Sequence, residues 1–276
     1  MEKHSTVTAL LAYLHPSAER PHTYMYEPPN GEPWQNCEFD ARPTSIGDAR
    51  ALPHPASLHR EGFELREAPS RVPDFRDDDA VKKLYYPEVA ELALSATGGT
   101  RAVVFDHLVR KREAGRPALT IGRRGNGEQP AANGRIHNDY TEDSGRKRLP
   151  LVLGQGMPAV RRYSIVNVWR SIKAPIVHTP LAVCDARSIA ARELVAAEVR
   201  YPARTGEIYF VEHSPRHRWY YFSEMDRHEA LIFKQYDSQV SGVARFAPHS
   251  AFDLPDIPPD APLRESIEAR CLVVYE

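Results

Sequence analysis

The chain has 276 residues, 42% of them hydrophobic, and a formal net charge of −1. That composition marks a globular chain, long enough for one large domain with a substantial core. A near-neutral charge excludes wholesale binding to nucleic acid or to an anionic membrane, so recognition has to come from a local site.

Three cysteines, Cys37, Cys184 and Cys271, lie far apart with no zinc-type spacing. They read as free thiols in a reducing compartment rather than a disulfide scaffold. The apolar run near the start is too short and too interrupted for a signal peptide, and no stretch approaches the length of a membrane span. The expectation is a cytoplasmic protein whose partners include neither nucleic acid nor membrane.

In chain order, "TVTALLAYL" (6–14) and "TYMYE" (23–27) read as short strands set among proline-rich loops. "DDAVKKLYYPEVAELALSATG" predicts a helix, with Asp77, Asp78 and Asp79 at its start, Gly98 at its end and a kink or break at Pro87. "TRAVVFDHLVRK" (100–111) is rich in β-formers. The polar, Gly-rich segment 112–133 is long for a compact domain and reads as a lid over a site. Strand patterns then dominate: 134–140, 161–172, 179–186, 206–213, 217–225, 229–238 and 265–276, with one helix at roughly 141–150. The expected fold is mainly β with flanking helices, a double-stranded β-helix (jelly-roll, cupin-like) core. It forms a single domain over 1–276, in which 1–133 packs on a barrel core of 134–276.

"RIHNDYTEDSG" (135–145) carries His137 and Asp139 one residue apart, hence on one face of a strand. His-x-Asp alone is a weak signal, but it occurs once in this chain and directly follows the lid-like segment. The rival His59-Arg60-Glu61 lies in proline-rich coil. A two-His-one-carboxylate iron face needs a third ligand and leaves positions open for co-substrate and O2. His217, at the start of the aromatic run "HRWYYF", is the expected third ligand, with His213 as its rival. The same donors could hold zinc, although the HExxH signature of zinc proteases is absent.

Several segments resemble one family: "HNDYT" (137–141), "IVNVWRSI" (165–172), "PLAVCDARS" (180–188), "HRWYYFSEM" (217–225), "EALIFKQYDS" (229–238), "GVARFAPHSAF" (242–252) and "RESIEARCLVVYE" (264–276). The chain is identified through them as a member of the AsaB-like hydroxylase/desaturase family, which also contains fungal gibberellin desaturase and the CmcJ-type methoxylase component. The resemblance implies an oxidoreductase of secondary metabolism. It would be a dioxygenase using Fe(II), 2-oxoglutarate and O2 to hydroxylate, desaturate or oxidatively cyclise a small natural-product intermediate, with His137, Asp139 and His217 as ligands.

Such a co-substrate needs a cation for its distal carboxylate. Lys234, inside the apolar run "ALIFKQY", is one choice, because a buried lysine demands an anionic partner. Tyr236, on the same face of a regular strand, would add a hydrogen bond. Arg245 is the second choice, since its fork can bond both carboxylate oxygens. Asn167 and Trp169 alternate onto one face of "IVNVWRS". Asn167 is assigned to the co-substrate, and Tyr140, Trp169, Arg170, Trp219 and Arg270 to the substrate. A homodimer or a partner tailoring enzyme is the expected macromolecular association. Two other readings stand beside this one: a non-catalytic subunit of a two-component enzyme, and a metal-dependent oxygenase of the same fold that does not use 2-oxoglutarate.

Overall fold

The structure, a computed structural model, describes residues 5–112, 134–155, 160–258 and 260–275. Nearly all of the segment read as a lid, 113–133, lies outside the described residues. The strands in chain order are β1 (Thr6–Leu14), β2 (His22–Tyr24), β3 (Phe39–Asp48), β4 (Phe63–Glu67) and β5 (Arg101–Lys111). They continue as β6 (His137–Asn138), β7 (Arg162–Ser171), β8 (Leu181–Cys184), β9 (Leu194–Tyr201) and β10 (Arg204–Val211). The last four are β11 (Trp219–Tyr221), β12 (Glu229–Asp237), β13 (His249–Ala251) and β14 (Glu265–Tyr275). They form two sheets, a nine-stranded one ordered β1-β3-β11-β8-β13-β6-β10-β9-β2 and a five-stranded one ordered β4-β12-β7-β14-β5.

The sheets face each other as a jelly roll. Phe63, Trp169, Leu231 and Phe233 of the smaller sheet pack against Leu181 and Val183 of the larger one. Period-two alternation sorts the smaller sheet's residues between its faces. Along β14, Ile267, Ala269, Cys271 and Val273 point outward, while Glu268 and Arg270 point between the sheets. Along β12, Ala230 and Ile232 point outward, Leu231 and Phe233 inward.

The outward face is covered by a helix in three parts: α1 (Asp78–Ala80), a π turn (Val81–Tyr85) and α2 (Tyr86–Thr97). Asp77 caps it, its carboxylate accepting from the Asp79 and Ala80 N–H groups, and Gly98 ends it in the left-handed conformation. Pro87 sits in the first turn of α2, where its missing N–H costs no hydrogen bond. The helix therefore continues through the position at which a break was expected. Val81, Tyr85, Val89 and Ala93 recur at i+4 and bury against the sheet. Each such fully buried valine contributes about 1.5–3 kcal/mol.

Strands from before residue 133 edge both sheets: β4 and β5 the smaller, β1 and β2 the larger, with β3 inside β1. The expected runs 6–14 and 100–111 match β1 and β5. β3, β4, β9 and the three-residue β13 form in stretches not read as strands.

Directly after β6, α3 (Glu142–Leu153) begins with a capping box. The Thr141 hydroxyl accepts from Ser144 N–H at 3.1 Å, and the Ser144 hydroxyl accepts from Thr141 N–H at 2.8 Å. Gly145 lets this helix approach the barrel, because a Cβ there would collide with the Tyr236 ring. Among the described residues no helix is long and apolar enough to cross a membrane.

Candidate metal centre and active site

β6 pairs with β13 so that His137 lies directly opposite His249. Their rings are 4.3 Å apart between centroids. Asp139 follows one residue past β6, and one donor atom from each of His137, Asp139 and His249 lies within 4.8 Å of the others. All three side chains are largely or wholly buried.

Each donor is oriented by a neighbour. His137 Nδ1 donates to the Arg135 carbonyl at 2.8 Å, which turns Nε2 towards Asp139 Oδ1, 3.5 Å away. Asp139 Oδ2 accepts from Asn167 Nδ2 and from Arg270 Nε, each at 2.9 Å, so Oδ1 is the oxygen facing the histidines. The Asp139 backbone N–H donates to Gln235 Oε1 at 2.7 Å, and Asn138 Nδ2 donates to the Gln235 carbonyl at 2.8 Å. Together these bonds tie β6 to the facing sheet.

Burial opposes ionisation of Asp139, but Arg270 and His137 outweigh it and hold its pKa well below the usual carboxylate range. Burial, and then the neighbouring His137, push His249 well below an ordinary histidine, so it is neutral. Its buried Nδ1 has no hydrogen-bond partner among the described residues. Two imidazoles, one carboxylate and an orphaned buried nitrogen form a donor set that fits Fe(II).

His217, expected as the third ligand, stands elsewhere. Its Nε2 lies 3.0 Å from Glu193 Oε2 and its Nδ1 3.3 Å from the Tyr13 hydroxyl, which itself accepts from Trp219 Nε1 at 2.7 Å. Burial keeps His217 neutral, so Nε2–H donates to the carboxylate and Nδ1 accepts from the phenol. Both ring nitrogens are thus committed. The rival His213 lies edge-on to the Tyr13 ring and 3.1 Å from Arg42 Nη1.

Burial would raise the Glu193 carboxyl, but the Ala190 N–H, His217 and Arg216 hold it at about 2. A depressed carboxyl stabilises the fold above its unfolded pKa and loses that contribution as pH falls towards its folded pKa. The stability gap between wild type and Glu193→Gln is therefore expected to shrink as pH falls from about 4.5 to about 2. Urea unfolding across that window measures it, and a gap independent of pH would contradict the assignment.

Lys234 is fully buried, but its Nζ bonds Asp237 Oδ2 at 2.8 Å. It pairs across the ladder with Val166, on the outward face beneath the helix. A β-bulge between Lys234 and Tyr236 breaks the alternation, so Tyr236 turns into another cluster with Tyr140, Tyr163 and Leu272. Lys234 and Tyr236 therefore do not share a face. Lys234→Met is expected to destabilise the fold by about 3 kcal/mol, the cost of breaking a buried pair, and to leave 2-oxoglutarate affinity unchanged. Urea unfolding and ligand titration together check this.

Arg245 is also committed, to Glu142 Oε2 at 2.5 Å and to the Asp237 carbonyl at 2.8 Å. Arg170 points outward, to the Tyr85 hydroxyl at 3.1 Å and the Ala68 carbonyl at 2.7 Å. Trp219 is core of the larger sheet. The structure does bring Asn167, Arg270 and Tyr140 to the Asp139 side, and Trp169 into the space between the sheets.

Arg264 was not singled out by sequence reasoning. It is buried, its guanidinium lies 5.3 Å from the Trp169 ring centroid, and among the described residues it bonds neutral acceptors, Ser266 Oγ at 3.1 Å and the Thr179 carbonyl at 2.9 Å. Burial and then Arg110 push it down to about 9, so it stays charged at neutral pH.

A jelly roll that carries two histidines and a carboxylate on its inner face defines a non-haem metal oxygenase. Comparison with known proteins specifies it further. A family profile described as "Oxidoreductase/YMDC permease-like domain" matches residues 11–274. The hydroxylase/desaturase efuI of Hormonema carpetanum is 33% identical over 87% of this chain and 85% of that protein. The Fe(II)/2-oxoglutarate-dependent dioxygenase nvfI of Aspergillus novofumigatus is 33% identical over 91% of this chain and 89% of that one. A solved structure of the iron and alpha-ketoglutarate-dependent endoperoxidase NvfI superposes with a TM-score of 0.86 at 28% identity, covering 99% of both chains. The chain belongs to this hydroxylase/desaturase family of Fe(II)/2-oxoglutarate-dependent dioxygenases.

Proposed function

We propose that His137, Asp139 and His249 hold Fe(II), that Arg264 anchors the distal carboxylate of 2-oxoglutarate, and that the enzyme oxidises a C–H bond of a small natural-product intermediate. The outcome is hydroxylation, desaturation or oxidative cyclisation. The observation that carries this reading is the buried His-Asp-His group with the orphaned His249 nitrogen.

When bound, iron with 2-oxoglutarate and O2 supplies the power to break an unactivated C–H bond, with succinate and CO2 as by-products. The chain's own residues set the conditions. The Arg135 carbonyl fixes the His137 tautomer, while Asn167 and Arg270 hold Asp139 ionised through the oxygen turned away from the histidines. Arg264 offers a charged fork in a buried, aromatic-walled place, where a carboxylate would bond the guanidinium directly. Phe233, edge-on to His249 at 4.8 Å, helps to keep that ring in place and the site dry.

Anaerobic addition of Fe(II) and 2-oxoglutarate to the purified chain is expected to give a weak visible absorption band, and succinate to form once O2 and a substrate are present. No band with folded protein would sink the reading. The proposed unit of function is the single domain, because strands from before residue 133 edge both sheets. Cytoplasmic residence is supported by three buried cysteines, none of them in a disulfide. A homodimer or a complex with a partner tailoring enzyme is tested by the hydrodynamic size of the chain alone and with such a partner.

A further inference from the structure

A cavity of about 640 Å³ opens beside the metal centre, and its lining includes Asp139, Arg270 and Tyr140. One wall is α3. Ser144, Lys147, Arg148 and Leu151 recur at i, i+3, i+4 and i+7, so a single helix face lines the space. Phe105 of β5 and Tyr201 at the end of β9 add aromatic surface.

The charges of this lining divide by sign. Its acids are engaged: Asp106 with Arg270, Asp139 with Arg270 and His137, Glu207 with Arg20. Its other cations are not. Among the described residues, Lys147, Arg148 and Arg204 meet no carboxylate. Arg148 is the one built into the wall. Its guanidinium lies 5.1 Å from the Phe105 ring centroid and 5.5 Å from that of Tyr140, contacts that set its plane. Its Nε is buried without a hydrogen-bond partner. The two Nη groups, which meet no carboxylate among the described residues, form a fork that takes two oxygens of one anionic group.

We propose that this cavity seats the substrate and that Arg148 clamps an anionic oxygen group, a carboxylate or an acidic enol, carried on an apolar frame that lies against Phe105, Tyr140 and Leu151. The substrate class is thus an organic acid presented to the Asp139 side of the metal centre. This deepens the functional reading above and rests on it.

The test uses 2-naphthoate and its uncharged methyl ester, titrated calorimetrically into iron-free protein. The acid is expected to bind roughly tenfold to a hundredfold more tightly than the ester. Arg148→Met should bring the acid down to the ester's level, Arg148→Lys should retain part of the preference, and Arg264→Met should leave the acid's affinity unchanged. Equal binding of acid and ester, or no binding of the acid at about millimolar concentration, overturns the clamp. So does an acid preference lost in Arg264→Met but kept in Arg148→Met, since the probe would then occupy the co-substrate's place. Arg148→Lys keeps the charge on the helix and guards against misreading a folding defect. The same variants titrated with Fe(II) and 2-oxoglutarate separate the two readings. An Arg148-dependent acid preference without a visible band would leave the clamp standing and remove the dioxygenase assignment.

Discussion

His249→Ala is expected to abolish iron binding and turnover, whereas His217→Ala should keep both. His249 contributes a donor that no other described residue replaces within the group, and its Nδ1 has no competing partner. Loss of a residue that merely orients a ligand costs roughly 10–100-fold in metal affinity, the effect expected for Asn167→Ala through its bond to Asp139. Loss of the ligand itself should exceed that. His217 is bound on both nitrogens, to Glu193 and Tyr13. Its removal leaves buried polar partners open and should cost about 1–3 kcal/mol of stability, with iron affinity intact. Fe(II) titration and urea unfolding on both variants decide the matter. If His217→Ala lost the metal and His249→Ala kept it, the assignment would be reversed.

Arg264→Met is the second large effect. Truncating one side of a buried charge pair costs about 2–5 kcal/mol, so the Kd for 2-oxoglutarate should rise at least about thirtyfold. Iron affinity without co-substrate should be unaffected, because Arg264 bonds Ser266 and Thr179 rather than a metal-side residue. Arg245→Met, which breaks a contact to Glu142, should leave that Kd in place. A normal 2-oxoglutarate Kd in Arg264→Met, or a raised one in Arg245→Met, would move the anchor elsewhere. Methionine preserves much of the apolar stem over Trp169, so the comparison isolates the charge.

What was legible beforehand follows from short-range periodicity. The His137–Asp139 pair shares a face because side chains alternate along an extended chain. The helix of Asp78–Thr97 announced itself through its acidic start and its glycine stop. The helix expected at roughly 141–150 and the shared face of Asn167 and Trp169 were equally local. The resemblance to hydroxylase/desaturases carried the chemistry, and the comparisons with known proteins agree with it.

The third ligand and the cations were decided by tertiary structure. His249 sits in "FAPHSAF", a proline-bordered stretch that becomes only a three-residue strand, too short to show a period. Its place is set by pairing with β6 across the larger sheet, a contact between residues distant in sequence. The aromatic strand begins at Trp219 rather than at His217, and its pairing beside β3 and β8 leaves His217 against Tyr13 and Glu193 instead. One local signal for His249 was present: a histidine followed by an arginine, Arg264, at the threshold of the last strand. At Lys234 and Tyr236 the alternation rule failed for a single cause, the bulge that inserts a residue between them and reverses which face each one shows. The sequence by itself determined which residues alternate, cap and bury. Only the folded sheets decided which of those alternating faces meet, because strand pairing and bulges are settled by contacts between segments far apart in the chain.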